Sequence, residues 1–466
     1  MQTSTEAADL ATLAEKAGTQ FILALFVDLD GKPCAKLVPV EAVRTLQTEG
    51  VGFAGYAVGS IGQEPKDPDL MAIPDPASFT PVPFVKEGLA IVHCDPHVEG
   101  RPWPFAPRVI LKSMLARMAA ERGWSAQVGA EVEYFLLRRD EEGRLVTADP
   151  GDRAARPCYD ARGVTRMYEH LAAVSRAMND LGWGNYANDH EDGNGQFEQN
   201  FEHADALTTA DRVITLRYLI TMMAEERGML ATFMPKPFTD RTGSGLHLHL
   251  SLWDDDTPLF PAGEAVDGRG LGLSGTAYAF TAGILEHASA LQAVLGPSVN
   301  SYKRTGAVAT TSGASWAPRV PTYGGNDRTH FVRVPDGNRI ELRGGDGSAP
   351  ARARSNQRLR QRSPHRRRGA ARWQATLPTR RGWRWSRSCI LWPMRARGRQ
   401  GRSCGWGCSI PNRESRRTRS GTGWRSARPA PPRSARSTRR SRSAPGRRAS
   451  PSCSRQLPRA ISTRPT

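Results

Sequence analysis

The chain has 466 residues, enough for two or three domains and a sizeable core. Its net charge of +19 suggests a nucleic-acid partner, but from Ala351 onward there are 33 Arg, one Glu and neither Lys nor Asp. That segment alone carries +32, which taken from +19 leaves −13 for the first 350 residues, an acidic body with an ordinary Lys and Arg mixture. No run approaches the ~18 apolar residues of a membrane span. Before the break there are only Cys34, Cys94 and Cys158, which suggests reduced thiols rather than a disulfide framework. The opening "MQTSTEAADLATLAEKAG" lacks the long apolar core of a signal peptide, so a soluble cytoplasmic protein is expected.

Residues 8–17 have apolar positions at helical spacing, and "FILALFVDLDG" from Phe21 reads as a buried strand entering an Asp-Gly turn. From there to Pro107 the chain is short strands and Gly- and Pro-rich turns, predicting a small, mainly β domain over residues 1–107. "PRVILKSMLARMAAERGW" then reads as a helix with Pro near its start and Gly123 as its stop. Further helices are predicted over Val164–Leu181, Ala210–Arg227 and Thr276–Val294, with short strands between them. The expected class is α+β, with a second domain over 108–349.

Four segments place polar residues at i, i+2 in apolar, strand-like context, where they share a face. In "VGAEVEYFLL", Glu131 and Glu133 point the same way; a cation between them would offset their repulsion, although a solvated strand face is the commoner arrangement. In "TGSGLHLHLSL", His247, His249 and Ser251 line one face and Leu246, Leu248 and Leu250 the other, a pattern that suits metal or phosphate and equally suits satisfied sheet histidines. "HEDGNGQFEQNF" adds Glu191 and Glu198 around a Gly-Asn-Gly turn, and "RIELR" sets Glu341 between Arg339 and Arg343, ordinarily a structural ion pair. Together they supply hard oxygen donors for Mg²⁺ or Mn²⁺ and cations for phosphate, the mixture phosphoryl transfer needs. Neither a P-loop nor a dinucleotide fingerprint is present.

In that order, "GAEVEYFL", "HEDGNGQFE", "GSGLHLHLSL", "NSYKR" and "RIELR" resemble the glutamine synthetase superfamily over residues 21–349, particularly its type III-like bacterial branch, which includes γ-glutamylmethylamide synthetases. The resemblance implies a β-grasp N-terminal domain, a catalytic domain with a curved antiparallel sheet, and a homo-oligomeric ring. It implies ATP-dependent ligation of ammonia to the γ-carboxylate of L-glutamate through γ-glutamyl phosphate, with methylamine or another small amine as the alternative acceptor. By similarity Glu133, Glu191 and Glu198 would hold one divalent ion, and Glu131, His247 and Glu341 a second. His249, Ser251, Arg333 and Arg339 match ATP-contacting positions, while Gly243, Arg304 and Arg343 match the glutamate site. Arg328 of "GGNDR" matches an Arg near the transferred phosphoryl group, so Arg304, Arg328 and Glu341 are the expected catalytic residues.

Two departures concern the amine. Trp316 stands where the family's ammonium-binding Glu is expected, and Ala57 or Val58 where a neighbouring subunit's Asp is expected. A Trp face attracts an alkylammonium and packs its methyl group, which makes Trp316 an amine-site candidate.

The segment from 350 to 466 follows no such pattern. It has six Trp but no Phe or Tyr, and neither helical nor alternating periodicity, so it is expected to be disordered. A GC-rich gene read out of frame yields this composition. One choice of codons for "SNQRLRQRSPHRRRG" (355–369), shifted by one base, can give Ala-Thr-Ser-Ala-Tyr-Ala-Asn-Ala-Ala-Arg-Ile-Ala-Ala-Ala-Gly. A protein ending this way is expected to be poorly stable or inactive. The other reading of its Arg residues is nonspecific nucleic-acid binding; no specific nucleic acid or membrane is expected as a partner.

Overall fold

The computed structural model describes residues 9–263, 267–307, 309–318 and 320–346, so the expectations for 350–466 lie outside the described residues. Two sheets organise the rest. The first is mixed: Phe21–Val27 runs antiparallel to Pro33–Pro39 and parallel to Leu89–Val98, which also pairs antiparallel with Leu70–Pro74. Strand Phe21–Val27 is mostly buried beyond Phe21 because it lies inside this sheet, paired on both edges, which explains its unbroken apolar run. Val43 and Leu46 of helix Val43–Glu49 pack in the same core cluster as Ile22, Ala24 and Phe26.

The second sheet is built on the long strand Trp124–Arg139. On one side it pairs with Gln196–Phe201 and, beyond that, Asn185–His190; on the other it pairs with Leu246–Asp254, then Ile340–Gly345. All these pairings are antiparallel. Helix Ala206–Glu225 crosses behind them and buries Val213, Leu216, Leu219 and Ile220. Leu25, Val27 and Ile91 of the first sheet share one core cluster with Val132, Tyr134 and Leu136 of the second.

Helix Pro107–Arg122 has the expected ends: Pro107 at its start and Gly123 closing it at φ 75°, where a Cβ would be strained. Two other expected helices are each divided. Val164–Leu181 becomes Ala161–Arg166 and Tyr168–Asp180, and the break turns Met167 into the core beside Leu171. Thr276–Val294 becomes Gly275–Glu286 and Ala288–Leu295, parted at His287. Among the described residues no helix is long and apolar enough to cross a membrane.

Where helix Pro107–Arg122 meets the first sheet, Arg108 is buried and donates to Asp95 at 2.6 Å, Asp75 at 2.9 Å and both oxygens of Asp211. Lys112 joins Asp75 and Asp95 at 3.2 and 2.6 Å. Within the same contact, His93 is fully buried with its Nε2 2.9 Å from the Thr215 hydroxyl, and burial pushes its pKa down. Replacing Arg108 by Met leaves three carboxylates facing each other with Lys112 alone. The expected loss is about 3–5 kcal/mol, read as a lower denaturant midpoint with an unchanged slope.

Candidate active site

Sheet register assembles the site. Opposite Glu133 sits Glu198, opposite Glu131 sits His247, opposite His249 sits Glu341, and opposite Glu341 on its other side sits Arg333. Four strands thus deliver their polar i, i+2 positions to adjoining points of one face. His247 Nδ1 lies 2.9 Å from one Glu131 oxygen and His249 Nε2 lies 2.8 Å from the other. Glu133 accepts from the Gln196 amide at 2.9 Å and the Gly245 N–H at 2.8 Å, and Glu198 accepts from Asn200 at 2.8 Å. Glu341 is fully buried and bound by Arg333, while its Oε1, without a hydrogen bond, lies 3.5 Å from Arg343 Nε and 3.8 Å from His247 Nδ1.

Three groupings bring ligand atoms within 4.8 Å of one another: Glu133, Glu191 and Glu198; Glu131, Glu198 and His247; and Glu131, His249 and Glu341. A divalent cation fits such donor sets, because like charges in a half-dry site otherwise repel. Together with burial, that repulsion sets the direction of the carboxylate pKa shifts. Burial and then the charge of Glu133 push Glu191 up to about 8. Burial, followed by the charges of Glu131, Glu133 and Glu191, raises Glu198 well above the carboxylate range. Burial works the same way on Glu131, but hydrogen bonds from His247 and His249 outweigh it and hold Glu131 well below that range.

Two cavities flank the cluster. One, of about 410 Å³, is lined by Glu131, His249, Ser251 and Arg339, with Tyr186 and Trp253. The other, of about 380 Å³, is lined by Glu133, Glu191, His247, Gly243, Arg304, Arg328, Arg343 and Trp316. Arg333 lines neither; it is turned onto Glu341. Arg343 is buried, its guanidinium 5.4 Å from the Trp316 ring centre, and its Nε and Nη1 have no hydrogen-bond partner. An anion in the second cavity would satisfy them.

Backbone approach is tight here. A Cβ on Gly243 would lie 2.5 Å from the Pro235 carbonyl oxygen. One on Gly245 would lie 2.9 Å from Glu133 Oε1, 3.0 Å from His247 Nε2 and 3.1 Å from Arg304 Nη2.

Sequence reasoning singled out Glu191 but missed what holds its loop. Asp152 accepts from His190 Nε2 at 2.9 Å, the Asn194 amide at 2.9 Å and the Gly195 N–H at 2.5 Å, and so pins the turn beside Glu191. A buried Asp forty positions away leaves no local signal. Gln196 and Asn200, which orient Glu133 and Glu198, fall inside the quoted "QFEQN" and could have been read from their place on the strand.

The profile of the glutamine synthetase catalytic domain matches residues 104–351. A glutamine synthetase from Rhizobium leguminosarum bv. phaseoli is 44% identical over 340 residues, covering 73% of this chain and 76% of the relative. A glutamate–methylamine ligase from Methyloversatilis universalis is 43% identical over 333 residues, covering 71% of this chain and 74% of the relative. A solved structure of GmaS in complex with ADP is 47% identical, with a TM-score of 0.68, and the match covers 74% of this chain and 77% of that one. The chain belongs to the glutamine synthetase family.

The raised carboxylates fix how stability varies with pH. Burial and neighbouring carboxylates make Glu191 and Glu198 hold their protons to higher pH when folded than the 4.5 of the unfolded chain. They therefore favour the folded state at low pH, and that contribution is lost as pH rises from about 4.5 through about 8. In chelator, Tm is expected to fall between pH 5.5 and 8.5, and Glu198→Gln to flatten that fall by a few degrees. Calorimetry of both proteins across that range checks it.

Proposed function

We propose that the chain joins ammonia to the γ-carboxylate of L-glutamate with cleavage of ATP to ADP and phosphate, through γ-glutamyl phosphate. The observation that carries this is the carboxylate and histidine cluster lying between two separate cavities, one edged with His249, Ser251 and Arg339, the other with Arg304, Arg328 and Arg343. A two-step ligase needs this geometry: nucleotide phosphates on one side, a carboxylate acceptor on the other, and charge compensation where they meet.

In this reading Glu133, Glu191 and Glu198 hold one divalent cation, Mg²⁺ or Mn²⁺, and Glu131, His247 and Glu341 a second. The raised pKa values of Glu191 and Glu198 support a cation at the first, and the closeness of donor atoms among Glu131, Glu198, His247, His249 and Glu341 supports one beside it. Bound cations would offset charge on the transferred phosphoryl group. His249, Ser251 and Arg339 bind the nucleotide phosphates, and Arg333 acts on that side by holding Glu341. Arg304 and Arg343 bind the carboxylate of glutamate against the backbone at Gly243, where a side chain cannot fit. Arg328, exposed at the cavity edge, stabilises the phosphoryl group as it transfers. Attack by the glutamate γ-carboxylate forms the acyl phosphate, and the amine then displaces phosphate.

A second reading, with methylamine as acceptor, is favoured by Trp316. Its ring is 44% exposed in the glutamate-side cavity, where the family's carboxylate for ammonium is missing. The mixed first sheet, with a central parallel pair and helix Val43–Glu49 packed on it, supports the β-grasp reading of residues 1–107. Free thiols at Cys34, Cys94 and Cys158 support a reducing, cytoplasmic setting. A homo-oligomeric ring belongs to the same proposal.

The test is release of phosphate from ATP by the product of the gene with its reading frame restored after Ser348. Release is expected to require glutamate and a divalent cation, and Glu341→Gln is expected to lower it at least about 10²-fold. Release that ignores glutamate sinks the proposal. Between acceptors, Trp316→Ala is expected to raise the KM for methylamine about 2- to 30-fold with little change for ammonia; an equal change for both removes Trp316 from amine selection.

A further inference from the structure

Arg343 is a buried cation whose hydrogen-bonding groups are left idle. Burial lowers its pKa, the charge of Glu341 opposes that, and the guanidiniums of Arg328 and Arg333 add to it. Its Nε and Nη1 donate to nothing among the described residues. Yet an acceptor stands close by on the same strand, Ile340–Gly345: Glu341 Oε1 is 3.5 Å from Arg343 Nε and has no hydrogen bond of its own. Opposite charges this close in a dry site gain most by closing up into a charge-assisted hydrogen bond. Here they stop short of it, so another group holds the guanidinium.

That group is Trp316. Its ring centre lies 5.4 Å from Arg343 Cζ, inside the ~6 Å over which a π face attracts a cation. The ring is itself anchored through its own segment. Two residues before it the Ala314 N–H donates to Asp192 at 2.5 Å, and Ser312 accepts from the Asn194 N–H on its hydroxyl at 3.0 Å and from the Thr242 N–H on its carbonyl at 3.1 Å. Ala317, the next residue, is buried. Trp316 is thereby tied to the turn beside Glu191. An indole face also differs from a carboxylate in what it consumes: a Glu in this place would accept the hydrogens of Nε or Nη1, whereas the ring offsets the charge and leaves both free.

We infer that Trp316 is a positioning residue for Arg343: its ring keeps the guanidinium off Glu341, so that Nε and Nη1 stay open for the carboxylate of the substrate in the glutamate-side cavity. The inference rests on the proposed glutamate reading of that cavity. It adds to the amine reading of Trp316, because a ring has two faces and Arg343 takes one.

The test reads glutamate rather than the amine, at saturating ammonia, in the same frame-restored product as the phosphate-release assay. Trp316→Ala and Trp316→Leu are expected to raise the KM for glutamate about 5- to 30-fold and to change kcat less than about threefold, because the contact serves bound substrate and transition state alike. Trp316→Phe keeps a π face and is expected to recover all but about threefold of that loss. Equal KM values for the Leu and Phe variants reduce Trp316 to a filler of space and overturn the inference. So does an unchanged glutamate KM in Trp316→Ala. Phosphate release that ignores glutamate in the parent enzyme sinks the ligase reading itself; a parent that needs glutamate, with variants that bind it as well, sinks the inference alone.

A second measurement is free of turnover and uses the full 466-residue chain labelled with 5-fluorotryptophan. Of its eleven Trp, the fluorine resonance lost in Trp316→Phe reports this ring. Arg343→Met is expected to move that resonance in the free chain, and L-glutamate added with Mg²⁺ and ADP to shift it in the parent but not in Arg343→Met. A resonance that ignores Arg343→Met overturns the inference whatever the kinetics give.

Discussion

Electrostatic repulsion among four glutamates is the constraint around which the centre of this protein is arranged. Glu131, Glu133, Glu191 and Glu198 are packed where water cannot screen them well, and each is met differently. Glu131 is offset by two histidines, Glu133 by an amide and a backbone N–H, and Glu198 by an asparagine amide alone. The unequal compensation explains why Glu131 is held low while Glu191 and Glu198 are driven up. It also explains the need for a stiff frame: such a group stays together only because long antiparallel pairings fix the backbone beneath it.

Much of that frame is written in the alternation of side chains. Glu131 with Glu133, and His247 with His249 and Ser251, could be assigned to one face because a strand repeats every two residues. The alternation says nothing about which strand lies beside which, so the pairing of Glu131 with His247 and of Glu341 with His249 emerges only from register. Arg333 shows the same limit. Its chemistry suits phosphate, but its strand partner is Glu341, and it is spent on that carboxylate.

Other features left no trace in sequence. The ion cluster of Arg108 with Asp75, Asp95 and Asp211 joins residues more than one hundred positions apart. The breaks at Met167 and His287 occur within runs whose helical spacing continues unbroken, since side-chain periodicity does not report a local turn of the axis. The abrupt loss of every acidic residue but Glu414 beyond residue 350 was, by contrast, fully legible, because composition needs no fold to be read.

The two cavities beside the glutamates have no lining residue in common. In the proposed reaction a molecule entering by one would therefore not have to pass through the other. In the proposed reaction each side could fill independently, with the charged wall of glutamates and histidines between them. Inhibitors built for one mouth need not compete with the natural occupant of the other, and they would be sensed across that wall only through the charge they bring to it.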